Sequence, residues 1–207
     1  MLSAHQLSCQ RGSKRLFQGL HFHLQPGRWL QVKGPNGAGK TSLLRILCGL
    51  STPAQGEVRW QGQNIQTTRS AFHAELHYQG HGLALKEELS AHENLMSGAA
   101  LRGTSVSAQA AQDALVQVGL KGRSQWPVKV LSQGQKRRVT LAALILGQAP
   151  LWILDEPVAA LDVAAQSSLQ DLLDQHLARG GLLVFTSHQP IALQAPGETL
   201  DLGAFAA

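Results

Sequence analysis

The stretch Gly34-Pro35-Asn36-Gly37-Ala38-Gly39-Lys40-Thr41 carries the densest chemical signal in the chain. It matches G-x-x-x-x-G-K-[ST], in which glycines let backbone N–H groups curl around phosphate oxygens where any Cβ would obstruct the approach. In such a loop Lys40 reaches the outer phosphates of a nucleoside triphosphate and the Thr41 hydroxyl ligates Mg²⁺, with Ser42 carrying the loop into the next helix. The bland alternative is a Gly-rich turn that happens to precede a helix. A second constellation is Leu151-Trp152-Ile153-Leu154-Asp155-Glu156, an apolar run that ends in two adjacent acids. Placed at the C-terminal end of a strand, Asp155 would hold Mg²⁺ and Glu156 would polarise a water attacking the γ-phosphate. A third apolar run, 182–186, ends at Ser187-His188, where an imidazole could sense whether the γ-phosphate is present. Taken alone, a histidine after a strand is an ordinary loop residue.

These groups need a scaffold, and the flanking residues describe one. Trp29-Leu30-Gln31-Val32-Lys33 reads as a strand running straight into the phosphate loop, and Leu43, Leu44, Ile46, Leu47 and Leu50 then give helical spacing. Phe22 and Leu24 alternate with polar neighbours before the Pro26-Gly27 turn, and Glu57-Val58-Arg59-Trp60 enters a turn at Gln61-Gly62. From about Glu87 the character changes: Ser90-x-x-Glu93 is a capping box opening a helix, and a second helix is predicted over 108–118, stopping at Gly119. Strand–helix alternation then returns, with a helix predicted over 163–178 between the runs at 151–154 and 181–186. Apolar strands alternating with helices predict an α/β fold with a parallel sheet covered on both faces.

Composition excludes several classes. The chain has 207 residues, 43% hydrophobic and 15% charged, which is globular rather than disordered. Its net charge of +5 is diffuse and contains no basic run, so nucleic acid is not an expected partner. Cys9 and Cys48 are too few and too separated for a zinc site or a disulfide framework, and read as buried small hydrophobes. No signal peptide is evident at the N-terminus, and the longest apolar stretches, near 141–146 and 151–154, are far too short to cross a bilayer. His21 and His23 share a strand face, and His73 and His77 sit at helical spacing; each is better explained as an exposed polar position than as a ligand.

Leu131-Ser132-Gln133-Gly134-Gln135 resembles the signature of the ATP-binding cassette (ABC) ATPases, usually written LSGGQ. Ser-x-x-Gln repeats the capping logic, so this segment opens a helix whose free N–H groups form a second anion-binding end. Ala160-Leu161-Asp162 is similar to the D-loop of that family, and the order of all these motifs spans essentially the whole chain. The resemblance implies a single P-loop NTPase domain over 1–207, with a mainly parallel sheet, a small N-terminal antiparallel β subdomain, and a helical subdomain inserted at about 87–147. It implies ATP as substrate with Mg²⁺ held by Thr41 and Asp155, and catalytic roles for Glu156, His188 and Lys40. It further implies a homodimer in which the signature of one protomer completes the phosphate site of the other.

Two positions depart from the family pattern. Where its coupling-loop glutamine is expected, ahead of Glu93-Asn94-Leu95, the chain has Gln79-Gly80-His81; either Gln79 serves from a shifted register or His81 takes the place. Where an aromatic residue would stack on adenine, Arg11 offers a planar guanidinium. With the Gln31–Arg45 segment and the short chain, these details resemble the ATPases of cytochrome c maturation, the haem-exporter ATP-binding subunits. That family works with an integral membrane subunit on the cytoplasmic face of bacterial inner membranes. The chain has no Cys-x-x-Cys-His, and direct haem binding is not expected of it. Competing readings are an ABC ATPase subunit for another substrate, a soluble ABC ATPase acting on nucleic acid or the ribosome, and a small-molecule kinase. The second lacks a second cassette or a heptad stretch here, and the third leaves Leu131–Gln135 without a role.

Overall fold

The computed structural model describes residues 1–206. The chain forms strands β1 (Leu2–Arg11), β2 (Lys14–Leu24) and β3 (Trp29–Lys33), then helix α1 (Lys40–Leu47), strands β4 (Gln55–Trp60) and β5 (Gln63–Asn64), and the short helix α2 (Arg69–Ala74). Strand β6 (Leu76–Gln79) precedes helices α3 (Ala91–Leu101), α4 (Ala108–Gln117) and α5 (Gln133–Leu146). Strand β7 (Leu151–Asp155), helix α6 (Val163–Ala178) and strands β8 (Leu182–Thr186) and β9 (Gly197–Asp201) complete it. Two sheets result: an antiparallel one in the order β2-β1-β4-β5 and an all-parallel one in the order β6-β7-β8-β3-β9.

Every residue of β7 and β8 is buried, which is why these strands read as unbroken apolar runs rather than alternating ones. The elements divide into two compact units. The first comprises residues 1–80, 149–157 and 173–207 and contains both sheets and α1. Its core joins Leu7, Phe17 and Leu20 of the antiparallel sheet to Leu43, Leu44 and Leu47 of α1 and to Ile153 and Val184 of the parallel sheet. The second comprises residues 81–148 and 158–172 and holds α3, α4 and α5 packed on one another around Leu95, Leu115 and Val139. The capping boxes expected at both helix starts are present: Ser90 with Glu93 on α3, and Ser132 with Gln135 on α5. Cys9 and Cys48 are both buried and free.

The helical spacing of His73 and His77 does not describe one helix. α2 ends at Ala74, and His77 lies on β6 opposite Trp152 of β7. Over so few residues an i, i+4 spacing does not separate a helix from a turn followed by a strand.

His176, on α6, stacks on Trp152 with ring centroids 3.8 Å apart and planes at 8°, its Nε2 lying 3.1 Å from the Leu182 carbonyl oxygen. Nε2 therefore carries the proton of a neutral ring. Burial lowers its pKa to about 4, against the hydrogen bond to Leu182, which raises it. A base with a depressed folded-state pKa leaves stability intact above its unfolded value and erodes it as pH falls from there towards the folded one, because only the unfolded chain takes up the proton. The loss should reach about 2 kcal/mol near pH 5. Urea unfolding at about pH 7.5 and pH 5 should show that difference in wild type beyond what His176→Phe shows; equal pH dependence in both would refute the assignment.

Candidate nucleotide site

The phosphate loop leaves β3 and ends at α1. Gly39 caps this helix at φ 102°, without a side-chain hydrogen bond, so the first-turn N–H groups are left for an anion. A Cβ there would come within 3.2 Å of Leu16 besides being strained by its φ, which explains a glycine at this position. Lys40 Nζ donates to the carbonyl oxygens of Gly34 at 2.9 Å and Pro35 at 3.3 Å, folding the ammonium over its own loop. Pro35, Asn36 and Gly37 are exposed at the loop tip, Ala38 rests against the core, and Ser42 lies in the first turn of α1.

Thr41 Oγ1 donates to Asp155 Oδ2 at 2.8 Å, tying the start of α1 to the C-terminal end of β7. Asp155 is 3% exposed, and its other oxygen accepts a 2.6 Å hydrogen bond from Thr186 Oγ1 at the end of β8. Glu156 follows with φ 52°, a left-handed conformation rare for a residue with a Cβ. Its N–H donates to Thr186 Oγ1 at 2.9 Å, and its Oε2 accepts from the His188 N–H at 3.1 Å. The His188 ring lies beside the same carboxylate, Nε2 to Oε1 3.6 Å. The sequence placed Thr41, Asp155, Glu156 and His188 in three separate segments; the parallel sheet brings them together with Lys40 at one end of β3, β7 and β8.

The donors suit Mg²⁺: hard oxygen atoms of a hydroxyl and a carboxylate, already within 2.8 Å of each other, beside a loop shaped for phosphate. Chemically the arrangement can cradle phosphates, hold a hard cation against them and present a carboxylate, anchored by backbone, to a water.

In the second unit, Ser132, Gly134 and Gln135 line a polar recess of about 390 Å³ with Arg138, Ala160 and Asp162. Ser132 Oγ accepts from the Gln135 N–H at 3.2 Å and Gln135 Oε1 from the Ser132 N–H at 3.0 Å. Leu131 is buried and anchors the turn, while Gln133 is exposed at the start of α5. A Cβ on Gly134 would lie 2.9 Å from the Ala160 carbonyl oxygen, so the close approach of these two segments needs a glycine. Arg138 grips both Asp162 oxygens, at 2.8 and 2.6 Å, and donates to the Val118 carbonyl at 3.2 Å. The Ala165 N–H, and then the Arg138 charge, hold the Asp162 carboxyl below its usual range. Arg138 and Thr186 were not singled out from the sequence, since each acts through a partner far along the chain.

The departures from the pattern have distinct settings. Gln79 is the last residue of β6, 6% exposed, with neither amide atom hydrogen-bonded among the described residues. His81 is exposed. Arg11 is exposed at the end of β1, facing Lys14 across the hairpin turn.

The sequence profile of the ABC transporter family matches residues 17–159. The chain is 53% identical over 195 residues to the cytochrome c biogenesis ATP-binding export protein CcmA of Dechloromonas aromatica, covering 94% of this chain and 96% of that one. It is 49% identical over 201 residues to the protein of the same name from Methylococcus capsulatus, covering 97% of each. A solved dimeric structure of MJ0796, a bacterial ABC transporter cassette, superposes with a TM-score of 0.85 over 98% of this chain and 95% of that one, at 20% identity. A likeness at that identity speaks to the fold, and it is the cassette fold. Two adjacent acids at the end of an apolar parallel strand, a glycine-capped phosphate loop beside them, and near-half identity across almost the entire length place this chain in the ABC transporter family, among the cytochrome c biogenesis ATP-binding export proteins.

Proposed function

We propose that this chain is the ATP-hydrolysing subunit of a transporter complex that exports or delivers haem for cytochrome c-type biogenesis. The observation that carries the reading is the near-half identity, over almost the whole of both chains, to proteins named for ATP-binding export in cytochrome c biogenesis. The site geometry supports the hydrolytic part. Residues 34–42 bind the ATP phosphates and Arg11 stacks on the base, with Lys40 neutralising charge that builds on the γ-phosphate. Glu156 orients and deprotonates the attacking water, and His188 reports on the γ-phosphate. Thr41 and Asp155 would hold Mg²⁺, which supplies charge neutralisation between the outer phosphates when bound.

The chain works as a homodimer in this reading, with Leu131–Gln135 and Asp162 of one protomer facing the ATP of the other; the dimeric cassette of like fold supports it. The segment at about 87–147 acts as a helical subdomain, and Gln79 or His81 relays its movement to an integral membrane partner at the cytoplasmic face of the inner membrane. No helix among the described residues is long and apolar enough to cross a membrane; the export named for the relatives supports a membrane-spanning partner.

The haem assignment is tested by replacing Lys40 with Ala in the source organism and staining its membrane proteins for haem on a denaturing gel. Loss of the covalently haem-bearing bands, restored by the wild-type chain, is the expected result. Unchanged bands would leave family membership standing and discard haem as the cargo.

A further inference from the structure

Thr186 closes β8 with 0% of its surface exposed, directly across from Asp155 in the β7–β8 register. Its hydroxyl has two partners, and their chemistry fixes its orientation. The hydroxyl donates to Asp155 Oδ1 at 2.6 Å and accepts from the Glu156 N–H, which can only donate, at 2.9 Å. One oxygen therefore spans the side chain of one acid and the backbone of the next. The first of these bonds is short, within the O–H···O range. The second fixes the amide of a residue at φ 52°, a conformation that persists only where its surroundings over-determine it. Thr41 takes the other Asp155 oxygen at 2.8 Å, so Thr186 is the hydroxyl that keeps this carboxylate aimed when Thr41 is engaged elsewhere. Two residues further on, the His188 N–H holds the Glu156 carboxylate at 3.1 Å, so the end of β8 supports both acids.

We propose that Thr186 is a positioning residue of the hydrolytic site, its hydroxyl setting the Asp155 carboxylate and the Glu156 backbone for ATP turnover; this rests on the roles given above to Asp155 and Glu156. A hydroxyl kept only to satisfy a buried carboxylate would affect stability and leave turnover of the folded protein intact. The two roles separate on substitution.

The test uses the full-length chain with Thr186→Val, which keeps the shape and removes the hydroxyl, and Thr186→Ser, which keeps the hydroxyl. Thr186→Val should lower kcat by about tenfold or more, leave ATP affinity within about twofold, and raise the Mg²⁺ concentration for half-maximal turnover several-fold. In the nucleotide-free protein, hydrogen exchange at the Glu156 amide should become faster in Thr186→Val and return to the wild-type rate in Thr186→Ser. Wild-type kcat and wild-type exchange in Thr186→Val would overturn the proposal. So would a Thr186→Ser chain as impaired as Thr186→Val. If the valine chain does not fold, Thr186→Ser still decides: turnover near wild type supports the hydroxyl role, and a tenfold loss removes it. Glu156→Gln is run beside them. Wild-type turnover there overturns the assigned site and this proposal with it, whereas a slow Glu156→Gln beside a wild-type Thr186→Val overturns the Thr186 role alone.

Discussion

Lys40→Ala should leave a folded chain whose ATP turnover falls by roughly 10²–10³-fold. The side chain is the cation of the loop, and its Nζ bridges the Gly34 and Pro35 carbonyl oxygens, which holds the ammonium against the glycine-rich turn. Charge that builds on the transferred phosphoryl group is then stabilised with little reorganisation, which is where electrostatic catalysis gains most. A loss of that size corresponds to about 3–4 kcal/mol of transition-state stabilisation. Alanine is a good helix former at the first position of α1, and the core residues of that helix, Leu43, Leu44 and Leu47, are untouched. Steady-state hydrolysis measured beside a thermal melt separates lost chemistry from lost fold. Turnover near wild type would refute the phosphate-loop role.

Glu156→Gln should bind ATP and hydrolyse it roughly 10²–10⁴-fold more slowly, the range that positioned general bases contribute. The amide oxygen can still accept the His188 N–H bond that the carboxylate accepts at 3.1 Å, so geometry is kept while basicity is lost. With hydrolysis stalled, nucleotide remains between protomers, and a dimer should accumulate with ATP and Mg²⁺ in size-exclusion chromatography. Its disappearance on adding a chelator would tie it to the bound substrate. A variant that hydrolyses like wild type removes Glu156 as the base, and one that is inactive yet stays monomeric under saturating ATP removes the sandwiched dimer.

Local chemistry was legible in the sequence wherever a feature is closed within a few residues. The phosphate loop carries its own glycines and lysine, and both capping boxes join residues three apart, Ser90 to Glu93 and Ser132 to Gln135. β7 and β8 announced themselves because a doubly covered parallel strand has no polar face, whereas β3, with Gln31 and the exposed Lys33 on one face, showed itself by running straight into the glycine-rich loop. β9 did not: Gly197, Glu198, Thr199 and Asp201 remain at least partly exposed, so only Leu200 carries an apolar signal. The strand β6 was hidden for a similar reason, its His77 and Gln79 being polar residues that are nevertheless buried.

By itself, then, the sequence determined the parts: a glycine-rich loop that opens α1, an apolar strand that ends in two acids, and a serine that caps α5. Each follows from backbone conformations and hydrogen bonds made between near neighbours, which residue type dictates directly. Only the tertiary structure decided the pairings between parts. The register of β7 against β8 sets Thr186 opposite Asp155, and the close contact of Gly134 with Ala160 goes with the placement of Arg138 on Asp162. Those contacts join residues 24 to 31 positions apart, bridged by side chains that no local preference can aim. They exist because burying β7 and β8 side by side, and packing α5 within its own unit, fixes where each polar group must find its partner.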